Sequence, residues 1–117
     1  MKYARIFVLV LFSTLGATMQ AGNISQAPRA IELTAKRFEF VPSTITLKRG
    51  ETVKLLVKSE DVTHGFFLRP LKIDADLTPG ETQEILVTPQ TTGTFTAICH
   101  HFCGSGHGGM KLTVVVE

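Results

Sequence analysis

Twelve residues near the C-terminus, Cys99-His-His-Phe-Cys103-Gly-Ser-Gly-His107-Gly-Gly-Met110, carry two thiols, three imidazoles and a thioether. Thiolate and thioether are soft donors, and together with imidazole they suit copper better than a hard cation. The glycines between them permit tight turns and positive φ, so one loop can wrap its side chains and a carbonyl around a metal. His64, which follows Asp61-Val-Thr, is the remaining histidine of four. With the other three already in the loop, His64 is read as a ligand brought in from elsewhere. Two cysteines in an exported protein suggest a disulfide by default. A Cys99–Cys103 disulfide accounts for the thiols but leaves His64, His107 and Met110 without a role. It is better read as what the empty site becomes on oxidation. A single-copper, blue-copper-like set of His64, Cys103, His107 and Met110 is a further arrangement, and it leaves Cys99 spare.

Such a loop needs rigid elements at both ends. Ile31, Leu33 and Ala35 alternate with Glu32, Thr34 and Lys36, the period-two signature of a half-buried strand. The parity then flips to Phe38 and Phe40, which suggests a bulge or bend near Arg37. Ile45 and Leu47, then Val53, Leu55 and Val57, then Ile85 and Val87 mark further strands between turn residues. Phe95, Ala97 and Cys99 alternate with Thr94, Thr96 and Ile98, so this strand delivers Cys99 on its inner face. Leu112, Val114 and Val116 form a final strand after the loop. Seven or so short strands without a helical period predict an all-β, antiparallel β-sandwich with His64 at a strand end beside the loop.

The 117 residues accommodate one domain. Lys2 and Arg5 precede an apolar run, Ile6 to Phe12, that fades by Ala17, the pattern of a signal peptide cleaved after Ala21. An uncleaved N-terminal anchor is the competing reading, and both place residues 22–117 outside the cytoplasm. Without Lys2 and Arg5, ten Lys or Arg face ten Asp or Glu, so the domain is close to neutral. No basic cluster with interleaved aromatics exists, which removes nucleic acid from the partners. A domain of about 96 residues with no Trp buries a limited core, and a metal would serve it as a staple.

His64 together with Cys99-x3-Cys103-x3-His107-x2-Met110 resembles the binuclear CuA site of cytochrome c oxidase subunit II, a site shared with nitrous oxide reductase. Asp61-Val-Thr-His64, Phe66-Phe67, Pro79-Gly80, Gly93-Thr-Phe95 and Cys103-Gly-x-Gly-His107 follow the family's order over the whole of residues 22–117. The resemblance implies a cupredoxin-like Greek-key β-sandwich holding two copper ions, both bridged by Cys99 and Cys103. It implies that His64 and Met110 complete one ion, and that His107 and the carbonyl of His101 complete the other. The implied function is one-electron transfer in the periplasm by a monomeric domain that is not itself an enzyme. Such a domain exchanges electrons with a c-type cytochrome or an oxidase, alone or as part of a terminal oxidase. Carriage or insertion of Cu(I) by the same ligands is the alternative.

The chain departs from that family in four respects. His101 stands where the family usually has Glu, which spares a carbonyl ligand but changes the local charge. One apolar run replaces two membrane helices, which suggests a free or singly anchored domain. Trp is absent, and Phe66 or Phe67 is expected to serve as the aromatic residue through which electrons enter. The imidazoles of His100 and His101 are extra donors, read either as solvated loop residues or as ligands in a different arrangement.

Overall fold

The period-two patterns become strands whose apolar sides face one another. Apart from Gly16, the computed structural model describes residues 27–117, and the export signal read over residues 1–21 lies outside them. Nine strands follow in order: β1 (Arg29–Lys36), β2 (Glu39–Val41), β3 (Thr44–Leu47), β4 (Val53–Ser59) and β5 (His64–Leu68), then β6 (Ile73–Leu77), β7 (Thr82–Val87), β8 (Gly93–Ile98) and β9 (Lys111–Val116). They form a four-stranded sheet, β2-β1-β4-β7, and a five-stranded sheet, β3-β9-β8-β5-β6. No α-helix occurs among the described residues, only single 3₁₀ turns at Arg69–Leu71 and His107–Gly109.

The expected β-sandwich is therefore the observed fold, with one difference in its pairing. β1 runs parallel to β4, and β3 runs parallel to β9; the remaining pairs are antiparallel. Parallel neighbours need long connections. Between β1 and β4 the chain makes β2, crosses to the other sheet for β3 and then returns, which brings β4 back in the direction of β1.

The parity flip near Arg37 also has a different origin from a bulge. Lys36 pairs with Glu39 and Ala35 with Phe40, so Arg37 and Phe38 form the turn of a hairpin between β1 and β2. The reversal sends Phe40 into the core, fully buried, and leaves Phe38 in the turn at 38% exposure. β6 was not anticipated, although Ile73, Ala75 and Leu77 alternate with Asp74 and Asp76 in the expected way.

Leu33, Phe40, Leu47, Leu55, Val57, Phe66, Leu77 and Leu112 fill the space between the sheets. The rings of Phe40 and Phe66 come from opposite sheets and meet at 5.6 Å with a 49° tilt. Phe66 is completely enclosed and offers no surface to a redox partner, whereas Phe67, on the other face of β5, is half-buried. The hairpin turn at residues 37–38, the start of β5, the end of β8 and the start of β9 converge at one end of the sandwich, where residues 99–110 form the cap.

Phe66→Ala should cost about 3–5 kcal/mol, because it opens a cavity between two close-packed sheets. Leu86→Ala, at a residue 63% exposed, should change stability by no more than about 0.5 kcal/mol. Urea unfolding of the two variants checks this, and equal midpoints would contradict the core assignment.

Candidate metal centre

β8 alternates Phe95 and Ala97 toward the core, and the next inward position, just past the strand, is Cys99 at 3% exposure. The chain then loops out and returns through the 3₁₀ turn His107–Gly109. The Met110 N–H donates to the His107 carbonyl, and the Cys99 N–H donates to the Met110 carbonyl, which closes the neck of the loop. Cys103 and Met110 turn inward, at 5% and 1% exposure. From the neighbouring strand, His64 occupies the first position of β5 and is fully buried.

These side chains converge. The Sγ atoms of Cys99 and Cys103 are 3.8 Å apart and both thiols are free. His64 Nδ1 lies 4.0 Å from Cys99 Sγ, and Met110 Sδ lies 4.0 Å from Cys103 Sγ. His107 Nδ1 lies 3.8 Å from Cys103 Sγ, and the His101 carbonyl oxygen lies 3.1 Å from Cys99 Sγ. The ligand atoms of His64, Cys99 and Cys103 all fall within 4.8 Å of one another. Thus the expected residues come together, with the carbonyl of His101, not its imidazole, turned toward the thiols. The imidazole of His101 is exposed, its Nδ1 3.1 Å from the Phe102 carbonyl, and the imidazole of His100 points away toward β6.

Several residues outside the expected donor set organise it. The carboxylate of Asp61 accepts a hydrogen bond from His64 Nε2 at 2.6 Å. The proton is thereby held on Nε2, and the Nδ1 lone pair faces Cys99. Asp61 in turn accepts the N–H groups of Arg37 and Val62. Burial works to raise its pKa, but these two N–H groups and the His64 imidazole outweigh it and hold the carboxyl down at about 2. A spacing of three residues between a carboxylate and a buried histidine was the sequence signal for this pair. Arg37 also reaches the loop directly, donating from Nε to the Cys103 carbonyl at 3.0 Å.

Two close approaches explain why particular positions are glycine. A Cβ on Gly65 would sit 2.2 Å from His100 Nδ1 and 2.7 Å from the His101 nitrogen. Its absence lets the loop lie flat on β5, where the Gly65 N–H donates to Cys99 Sγ at 3.3 Å. Gly104 and Gly106 lie under the ring of Phe38, which a Cβ would meet at 3.0 Å and 2.4 Å. Among the glycines of the loop only Gly104, at φ 139°, has a positive φ. Room for a neighbour is therefore the commoner reason for glycine here than backbone freedom.

Burial pushes the Cys103 thiol up to about 11; the hydrogen bond and charge of Cys99 add to this, and the guanidinium of Arg37 works against it. A thiol so raised stays protonated at neutral pH until something displaces the proton. What it can do is bind a soft metal that displaces the protons. Two thiol sulfurs, two imidazoles, a thioether and a carbonyl, with apolar walls on the inner side, fit copper.

Comparison with known proteins agrees with the fold. The family model of the cupredoxin-like domain matches residues 5–114. The chain is 38% identical over 73 residues to the probable cytochrome c oxidase subunit 2 of Streptomyces avermitilis, which covers 62% of this chain and 23% of that protein. It is 31% identical over 103 residues to the nitrous-oxide reductase of Ralstonia nicotianae, 84% of this chain and 16% of that one. The chain thus spans less than a quarter of the length of either relative. The crystal structure of the periplasmic domain of subunit II of cytochrome oxidase from Bradyrhizobium japonicum superimposes with a TM-score of 0.71 at 19% identity, over 79% of this chain and 86% of that domain. With its two-sheet sandwich, its capping loop and a family match that spans nearly all of its length, the chain belongs to the cupredoxin-like domain family.

Proposed function

We propose that this chain is an exported electron-transfer protein that carries a binuclear, dithiolate-bridged CuA-type copper centre. The observation that carries the reading is the pair of free, buried thiols 3.8 Å apart, with further donors on both sides. Cys99 and Cys103 would be the shared ligands of two copper ions. His64 and Met110 would complete one, and His107 with the His101 carbonyl the other. Two coppers bridged by thiolates supply a site that takes up and releases one electron with little change in bond lengths.

The protein's own residues supply the remaining conditions. Asp61 accepts from His64 Nε2 and so orients the ring with Nδ1 toward the thiols. Arg37 and Phe38 press the second half of the loop against the thiols from the opposite sheet. Leu33, Ala35, Phe40 and the other core side chains exclude water from the inner side. A site restrained in this way loses little energy to rearrangement between oxidation states. Residues 1–21 would direct export, with residues 22–117 as the working domain outside the cytoplasm. The partners would be a c-type cytochrome or an oxidase, and the chain itself would catalyse no reaction.

Copper content and the electron paramagnetic resonance spectrum of the protein, loaded with copper through reduced thiols and then held in its oxidised, mixed-valence form, test this. Two coppers per chain with hyperfine splitting shared over both nuclei are expected. One copper per chain, held as Cu(I) and silent in the spectrum, would replace electron transfer by copper carriage.

Cys103→Ser should abolish the shared centre, whereas Met110→Leu should keep both coppers and shift the potential, since a thioether is a weak ligand. A normal two-copper spectrum in Cys103→Ser would refute the bridging role. Because the metal must displace a proton from a thiol raised to about 11, affinity should increase with pH. Each displaced proton contributes about tenfold per pH unit, so a chelator competition between about pH 6 and about pH 8 should show a rise of roughly a hundredfold or more. A flat profile would show that the thiols are not the ligands.

A further inference from the structure

His100 looks like a spare ligand in the sequence, yet its ring makes three contacts away from the thiols although it is partly exposed. Nε2 lies 2.8 Å from Oδ1 of Asp74 on β6. One face of the ring rests on Phe67 of β5, with centroids 5.5 Å apart. Nδ1 fills the space over Gly65 where a side chain would otherwise stand. His100 thus crosses β5 from the loop and ties to the outermost strand of the five-stranded sheet.

The neighbours of His100 in the chain are the groups whose placement matters. Cys99 precedes it, with Sγ accepting the Gly65 N–H. His101 follows it, with its carbonyl directed at Cys99 Sγ. Between β5 and β8 the sheet forms one bridge, Phe67 with Ile98, so ladder pairing alone does not hold the chain beyond Ile98 against β5. What remains there is the Gly65 N–H on Cys99 Sγ and the side-chain contacts of His100.

We infer that His100 is a positioning residue that straps the first half of the loop across Gly65 to Asp74, holding Cys99 Sγ and the His101 carbonyl against β5. It is not a metal ligand, because Nε2 faces the Asp74 carboxylate and Nδ1 is packed on Gly65. The strap is a property of the metal-free chain. Its consequence for copper, a carbonyl ligand held in place, rests on the CuA-type reading.

The test uses the reduced, metal-free protein and the rate at which iodoacetamide alkylates Cys99, which follows the population of the opened loop. Asp74→Asn should raise this rate by no more than roughly two- to fivefold, because the contact is exposed on the Asp74 side. His100→Ala also removes the ring from Phe67 and Gly65, and should raise it about tenfold. His100→Gln, which can still donate to Asp74, should restore part of the protection. Asp76→Asn, at an exposed position on the same strand, should leave the rate unchanged. Amide exchange at Gly65, whose N–H donates to Cys99 Sγ, should accelerate in step with alkylation. Native alkylation rates in both Asp74→Asn and His100→Ala would overturn the inference. So would loss of copper from His100→Ala with the thiols still protected, which would make the imidazole a ligand. If the native chain takes up no copper, the proposed function fails, while the alkylation contrast still decides the strap.

Discussion

Close backbone approach between the loop and β5 is the constraint on which the metal end of this protein depends. Residues 99–110 have one 3₁₀ turn and otherwise no repeating backbone bonds of their own. Their position is set by what they lie on. Gly65 lets the backbone of His101 come within reach of β5, and Gly104 and Gly106 do the same for the ring of Phe38. Remove either clearance and the thiols no longer face His64 and Met110. A packed interior transmits such displacements rather than absorbing them.

The two sheets take different shares in that arrangement. The five-stranded sheet supplies the donors: His64 from β5, and the loop between β8 and β9. The four-stranded sheet supplies the restraint through a single hairpin turn, where Arg37 binds the Cys103 carbonyl and Phe38 covers the glycines. Asp61 joins them, since its carboxylate accepts from Arg37 and from His64 at once. A hydrogen bond to a charged group contributes about 1.5–3 kcal/mol when enclosed. Here the gain is smaller, because the Asp61 side chain is 32% exposed. Its value lies in orientation: an imidazole with the proton on Nε2 presents Nδ1 to the thiols.

The surface at this end combines polar and aromatic groups. Phe102, which precedes Cys103 in the chain, is 74% exposed, with its ring 5.8 Å from that of His107. Phe66 and Phe67 looked equivalent in sequence, but alternation along β5 sends one into the core and the other outward. Adjacent residues on a strand cannot share a face.

The chain by itself determined the strand faces, from Leu33 and Ala35 to Val114 and Val116, because a period of two survives any sheet pairing. It also picked out the candidate donors of the loop, since soft ligands at short spacings need no distant partner to be noticed. Only the tertiary structure decided which strands became neighbours, because parallel pairs such as β1 with β4 depend on a crossover rather than on local pattern. It alone separated the adjacent histidines 100 and 101 and gave Arg37, Phe38 and Asp74 their places at the loop. Those contacts join residues far apart in the chain, and a single sequence carries no mark of which distant side chain a given one will meet.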